Sequence, residues 1–208
     1  MFEKWIQLVL RYSENSGIIR NSYEEIEKHY NVSKRFYHNL FHIQNLLENF
    51  DKIHEKPKNA DTLLFSIWYH DIIYNPLRKD NEEKSAILAG KELKKINYDF
   101  VEIQQVKYYI NRTKNHIEIE KDEDYGLKCF LDLDLLTMGS HPEVYDRNTK
   151  NIRKEYKAVP DLFFNPGRAK ILEKFLESEF IYRTDYFREK YEKQARENIA
   201  NELLQLKK

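Results

Sequence analysis

Apolar positions recur along this chain at intervals of three and four, the spacing of helices that bury one face. Phe2, Trp5, Ile6, Val9 and Leu10 predict a first helix over 2–13, broken at Gly17. Ser22-Tyr-Glu-Glu25 has the form of a capping box and predicts a second, thin-faced helix to about Tyr30. Leu40, Ile43, Leu46 and Leu47 predict a third over 33–47, with His38 and His42 four apart on one face. A polar connection containing Pro57 leads to Asp61, the expected cap of a helix over Leu63–Tyr74, which Asn75-Pro76 ends. Asp80-Asn-Glu-Glu83 starts the next, with Ala86, Leu88, Ala89 and Leu93 as a small-residue face for close packing. Phe100, Ile103, Val106, Tyr109 and Ile110 predict a helix over 99–113, followed by a basic loop, 111–116. Residues 116–120 read as a short strand or plain loop, and Asp122–Asp124 as an exposed acidic run. Helices follow over 126–136, from a capping box at Ser140-His-Pro-Glu143 to about Lys157 (Val144, Tyr145, Ile152 and Tyr156 inward), over 167–177, and from Thr184 to the end.

The Leu63–Tyr74 stretch, Leu-Leu-Phe-Ser-Ile-Trp-Tyr-His-Asp-Ile-Ile-Tyr, stands apart. It is apolar on every side and therefore expected to be buried, yet it carries His70 beside Asp71. An ionised carboxylate is too costly to bury unless it is paired or binds a metal. The pair offers a divalent cation one nitrogen and one oxygen. Alternatively, His70 caps a carbonyl and Asp71 pairs with a basic residue. A second apolar segment, Phe130-Leu-Asp-Leu-Asp-Leu135, carries Asp132 and Asp134. Two apart on a helix, they point to nearly opposite sides and are not expected to share a role.

Composition narrows the field. The chain has 208 residues, five Gly, five Pro and 14 % aromatics, which suits long, well-packed helices in one domain. Lys+Arg and Asp+Glu are both 35, which argues against a broad electrostatic footprint for nucleic acid or anionic membrane. The single cysteine, Cys129, excludes an internal disulfide and a cysteine-rich zinc site, and is expected in the core. No signal peptide or membrane span is legible, so the expectation is a cytoplasmic protein. There is no internal repeat and no evident domain boundary.

Five blocks in order carry a resemblance: Tyr37-His-Asn-Leu-Phe-His-Ile43, Trp68-Tyr-His-Asp-Ile-Ile-Tyr74, Asp80-Asn-Glu-Glu-Lys-Ser-Ala86, Phe130–Leu135 and Ile152-Arg-Lys-Glu-Tyr-Lys-Ala-Val-Pro160. Together they resemble the HD-domain superfamily, and most closely its predicted metal-dependent phosphohydrolase branch, over nearly the whole chain. The resemblance implies an all-α, HD-domain-like multi-helix bundle over 1–208. Its core would span about 33–136, with C-terminal helices, about 140–208, on the same body. It also implies His42, His70, Asp71 and a later aspartate as metal ligands. His42 is preferred to His38 because the family's first histidine lies within a helix, with apolar residues just after it. Asp134 is preferred to Asp132 because Asp134-Leu-Leu136 fits the family's Asp-x-Leu.

Two imidazoles and two carboxylates suit Mn²⁺, Fe²⁺, Co²⁺, Ni²⁺ or Zn²⁺. The implied activity is hydrolysis of a phosphate ester, a nucleotide or another small phosphorylated molecule, by metal-activated water. Asp71 would bind the metal and orient that water. Glu82 would act as base or supporting carboxylate, though an acidic residue in a first helical turn also answers the helix dipole, as Glu83 does. Arg35, Lys79, Arg112 and His116 are the candidate substrate contacts, while Tyr37 and Asn39 would orient the ligands. Two alternatives stand. One is a catalytically silent HD-fold protein that binds a nucleotide or partner. The other is a di-iron HD-type oxygenase, which needs further histidines between the His-Asp pair and the last aspartate, where only His116 lies. Substrate identity and oligomeric state, an oligomer included, stay open.

Overall fold

Ten α-helices and two short 3-10 segments account for about 71 % of a computed structural model describing residues 1–118 and 123–207. No strand occurs among them, so the all-α expectation holds, and no helix among them is long and apolar enough to cross a membrane. The contacts divide the chain into two compact units, Met1–Lys114 and Asn115–Lys208.

The first unit holds α1 (Phe2–Val9), α2 (Ser16–Tyr30), α3 (Leu40–Asp51), α4 (Ala60–Tyr69), α5 (Asn81–Lys95) and α6 (Phe100–Arg112). Its centre is aromatic. Trp5, Phe65, Trp68 and Tyr69 are all buried, and the Trp5 ring lies 5.3 Å from Trp68, edge-on. Such edge-to-face pairs add to the area they bury. Trp5 Nε1 donates to the Ile19 carbonyl at 3.2 Å and to Ser22 Oγ at 3.1 Å, which satisfies the one polar atom of that ring. Helices α5 and α6 pack along each other. The small face of α5 permits it: a Cβ on Gly90 would already meet the Lys107 side chain at 3.2 Å and Ile103 at 3.5 Å.

Several boundaries differ from expectation, each for a local reason. Gly17 does not break a helix but lies in the first turn of α2, capped by Asn15, whose side chain accepts from Ile18 N. Ser22 is therefore no cap; it is buried in mid-helix, serving Trp5. Asp61 does not cap α4 either. It lies in the first turn and takes hydrogen bonds from Tyr12 Oη (2.6 Å) and Arg11. Phe100, one of the apolar positions that predict the sixth helix, is 64 % exposed. Helix α6 includes Arg112, which is buried rather than part of a surface loop.

The second unit holds α7 (Tyr125–Asp134), a 3-10 segment (Leu135–Gly139), α8 (Pro142–Glu155), α9 (Asp161–Glu177) and α10 (Asp185–Leu206). The 3-10 segment packs on α10, and Gly139 marks the closest approach. A Cβ there would stand 2.6 Å from Tyr191 Cβ and 2.8 Å from the Tyr191 carbonyl oxygen, so no larger residue fits. Asn198 of α10 closes the same joint, its Nδ2 donating to the Met138 and Ser140 carbonyls at 2.8 Å each. Ser140 donates to the Thr137 carbonyl instead of capping α8, whose N-cap is His141 with Pro142 as the first helical residue. Of the positions read as inward on α8 only Tyr145 is fully buried. Helix α9 starts six residues earlier than expected, right after Pro160, and accommodates Pro166 in its second turn. Thr184 starts α10 as expected. Residues 116–118 form no strand; 119 and 120, and Asp122 of the acidic run, lie outside the described residues. Glu123 is not exposed: it is buried against Arg183, Nε to Oε2 2.9 Å, while Asp124 caps α7.

Candidate metal centre

Helix α4 stops at Tyr69, five residues short of the expected end, and this shapes the site. His70 is its C-cap and Asp71 lies just beyond, so the pair sits on a turn, not within a helix. A helix leaves its last carbonyls without intrahelical donors. Here side chains supply them. His70 Nδ1 donates to the Ile67 carbonyl at 3.0 Å, and Tyr30 Oη to the Trp68 carbonyl at 3.1 Å. The Arg35 guanidinium reaches the Asp71 and Ile72 carbonyls at 2.6 and 2.8 Å. Helix α3 starts at Leu40 because Asn39 caps it, its Oδ1 accepting from Phe41 N (2.9 Å) and His42 N (3.4 Å). His38 therefore precedes the helix rather than sharing a face with His42. It stacks on Tyr74 instead, ring centres 4.0 Å apart.

These two helix ends bring three of the expected ligands together. His42 Nε2 is 3.3 Å from His70 Nε2, and His70 Nε2 is 3.1 Å from Asp71 Oδ2. One atom from each lies within 4.8 Å of the other two. His42 and His70 are buried, and Asp71 is 18 % exposed. Because a carbonyl only accepts, the bond to Ile67 puts a proton on His70 Nδ1. The Nε2 of a neutral His70 then carries a lone pair, directed at another imidazole nitrogen and at a carboxylate oxygen. A positive charge where the three meet, a proton or a metal ion, would interact favourably with the carboxylate and with an imidazole lone pair.

The donor set fits a metal ion. Two ligand atoms each about 2.1 Å from one ion lie roughly 3.0 Å apart at a right angle and roughly 3.4 Å apart at the tetrahedral angle. The observed 3.1 and 3.3 Å fall between these limits. The Nδ1–H of His70, donated to a backbone carbonyl, is the outer contact that commonly orients a metal-binding histidine. Of the early alternatives for the His70-Asp71 pair, the carbonyl cap is present: His70 caps a carbonyl through one nitrogen and faces Asp71 through the other.

The remaining candidates are distributed as follows. His38, the alternate first ligand, has its Nε2 4.0 Å from Asp71 Oδ2. The Tyr37 ring lies 4.8 Å from that of His38 and 5.1 Å from that of His42, and Asn39 fixes the start of α3, so both adjoin His42. Arg35 is directed at backbone carbonyls. Lys79 is exposed in the loop after Asp71. Glu82 is half-buried in the first turn of α5. That turn is joined to the segment following Asp71, because Asn81 exchanges two hydrogen bonds with the Asn75 backbone, at 3.1 and 2.9 Å, and Ser85 Oγ accepts from Ile73 N at 3.1 Å.

In the second unit, Asp134 Oδ2 lies 3.0 Å from His116 Nε2, so the preferred fourth ligand pairs with a candidate substrate contact. Asp132 is differently employed. It is wholly buried and accepts from Arg183 N (2.6 Å), Thr184 N (2.8 Å) and Thr184 Oγ1 (2.7 Å). Burial outweighs these donors and pushes its carboxyl up to about 6. The two aspartates do have separate roles, and the partners of Asp132, Arg183 and Thr184, escaped the sequence reading: they lie 51 and 52 residues away. Cys129 is buried in the core as expected.

No family model, curated protein or solved structure matches the chain.

Proposed function

We propose that this protein is a metal-dependent phosphohydrolase of the HD-domain kind, acting on a small phosphorylated molecule. The observation that carries the reading is the convergence of His42 Nε2, His70 Nε2 and Asp71 Oδ2 at separations that suit one divalent transition metal. Asp134 enters as a fourth ligand on the sequence resemblance alone. When bound, such a metal acidifies a water and polarises a phosphoryl oxygen.

The chain's own groups take the other tasks. Asp71 uses one carboxylate oxygen as ligand and orients the attacking water with the other. Glu82, on the turn of α5 tied to the residues after Asp71, accepts the water's proton. His38 is partly exposed, and its Nε2 is 4.0 Å from Asp71 Oδ2 without belonging to the group of three. That supports a role for it in protonating the leaving oxygen at Nε2. Lys79, exposed in the same loop, is the cation best suited to the phosphate. The burial of His42 and His70 strengthens the interactions made at their nitrogens.

Elemental analysis of protein purified without chelator tests the reading, wild type beside His70→Ala and Asp71→Ala. About one transition metal per chain, lost in both variants and accompanied by metal-dependent cleavage of a phosphate-ester panel, is the expected result. A wild type that takes up no metal after reloading with Mn²⁺ or Ni²⁺ would overturn it, and two irons per chain would favour the oxygenase.

A further inference from the structure

We infer that Arg35 is a positioning residue of the candidate metal centre, a brace between its two ligand-bearing segments, and not a contact for the substrate's phosphate. The inference rests on the metal-centre reading above, with a test that separates the two.

The guanidinium spends its donors on backbone. Nη1 donates to the Asp71 carbonyl at 2.6 Å and the His38 carbonyl at 3.2 Å, and Nη2 donates to the Ile72 carbonyl at 2.8 Å. One planar group thus joins the turn that carries Asp71 to the loop that carries His38 and leads into His42. The rings around it hold the fork in place. Its carbon lies 5.1 Å from the centre of Tyr30 and 5.8 Å from that of Tyr74. Tyr30 also donates to the Trp68 carbonyl, and Tyr74 stacks on His38. The Arg35 carbonyl accepts from Asn39 Nδ2 at 3.3 Å, and Asn39 caps the helix that presents His42. The two ligand segments are thereby tied at the backbone, and the side chains they bear inherit that registration.

Only arginine suits this role. Two consecutive carbonyls on the turn after a helix need two parallel donors from one rigid plane, which a lysine ammonium does not provide. The sign of the effect on metal binding distinguishes a brace from a mere charge. A fixed cation close to a metal opposes metal binding, so deleting an electrostatic Arg35 would tighten the metal. Deleting a brace would loosen it, by the roughly 10- to 100-fold typical of groups that orient metal ligands.

The experiment is a Co²⁺ titration of the full chain, followed by the visible absorption of the bound ion, on wild type, Arg35→Lys, Arg35→Met and His70→Ala. The expected result is about 10- to 100-fold weaker Co²⁺ binding in both Arg35 variants, with an altered absorption band. Arg35→Lys keeps the charge and most of the stem, so it decides the matter if Arg35→Met does not fold. Unchanged affinity and spectrum in Arg35→Lys, or tighter binding in Arg35→Met, would overturn the brace. So would normal Co²⁺ binding in both variants combined with a raised KM for a cleaved phosphate ester, which would return Arg35 to the substrate. A wild type that binds no Co²⁺ would instead sink the metal reading itself.

Discussion

Two aspartates in apolar surroundings receive opposite treatment. Asp132 is wholly buried and meets three donors, two backbone N–H groups and a hydroxyl, all within 2.8 Å. Asp71 keeps some exposure, and the nitrogen 3.1 Å from its Oδ2 belongs to an imidazole whose proton is already committed to the Ile67 carbonyl. The first site is complete as protein. The second brings two imidazole nitrogens and a carboxylate oxygen together, a group that could hold a cation.

That contrast breaks most visibly on truncation. Asp132→Ala strands three buried donors, and a loss of about 3–5 kcal/mol is expected in denaturant unfolding. Asp71→Ala removes a carboxylate that keeps 18 % exposure, so metal-free protein should lose less, about 1 kcal/mol. Equal losses at the two sites would erase the distinction.

Titration sharpens it next. With its carboxyl raised to about 6, Asp132 keeps its proton in the folded state over a range where the unfolded chain, at about 3.8, has lost it. The folded state therefore binds more protons between about pH 4 and 6, and stability contributed by this group falls as pH rises through that window. The difference amounts to about 3 kcal/mol at most. Melts from pH 4 to 7 should show that decline in wild type and lose it in Asp132→Asn. An identical pH profile in the two proteins would refute the assignment.

Metal loading follows in size. At a concentration about a hundredfold above Kd, Mn²⁺ or Zn²⁺ should stabilise the folded chain by about 2.7 kcal/mol, a rise in Tm of roughly 5–10 °C for a protein of this length. Asp132→Asn should retain that rise and Asp71→Asn should lose most of it. The smallest effect is expected at Lys79. Lys79→Ala should leave stability within about 0.5 kcal/mol of wild type while raising KM for any phosphate ester turned over.

Much of the fold was readable because helix patterning is a local signal. Nearly every expected helix is present, and the dense apolar run around His70 marked the buried centre correctly. What could not be read depends on residues distant in sequence. Helix α4 ends early where Tyr30 takes its Trp68 carbonyl and Arg35 holds the carbonyls of the turn that follows, both from elsewhere in the chain. Ser22 resembles a cap but serves Trp5. Arg35 and Arg112 look like surface charges in a list of residues; one faces backbone carbonyls and the other is buried. His70 and Asp71 stood out because histidine and aspartate are conspicuous in an apolar run, while His42 was singled out by the resemblance. The donors to Asp132 were not legible, since backbone N–H groups leave no trace in composition.

The tie between Asp132 and the Arg183-Thr184 pair has a consequence in time. The donors arrive 51 and 52 residues after the acceptor. On a ribosome adding 5–20 residues per second, that is about 3 to 10 seconds during which Asp132 must stay solvated. The last turn of α7 cannot be sealed until the start of α10 exists, so this contact closes late in the assembly of its unit. Late contacts govern the rate of opening more than the rate of closing. Weakening the tie should therefore hasten unfolding and leave refolding nearly as fast, making Asp132 a latch on the unit's lifetime.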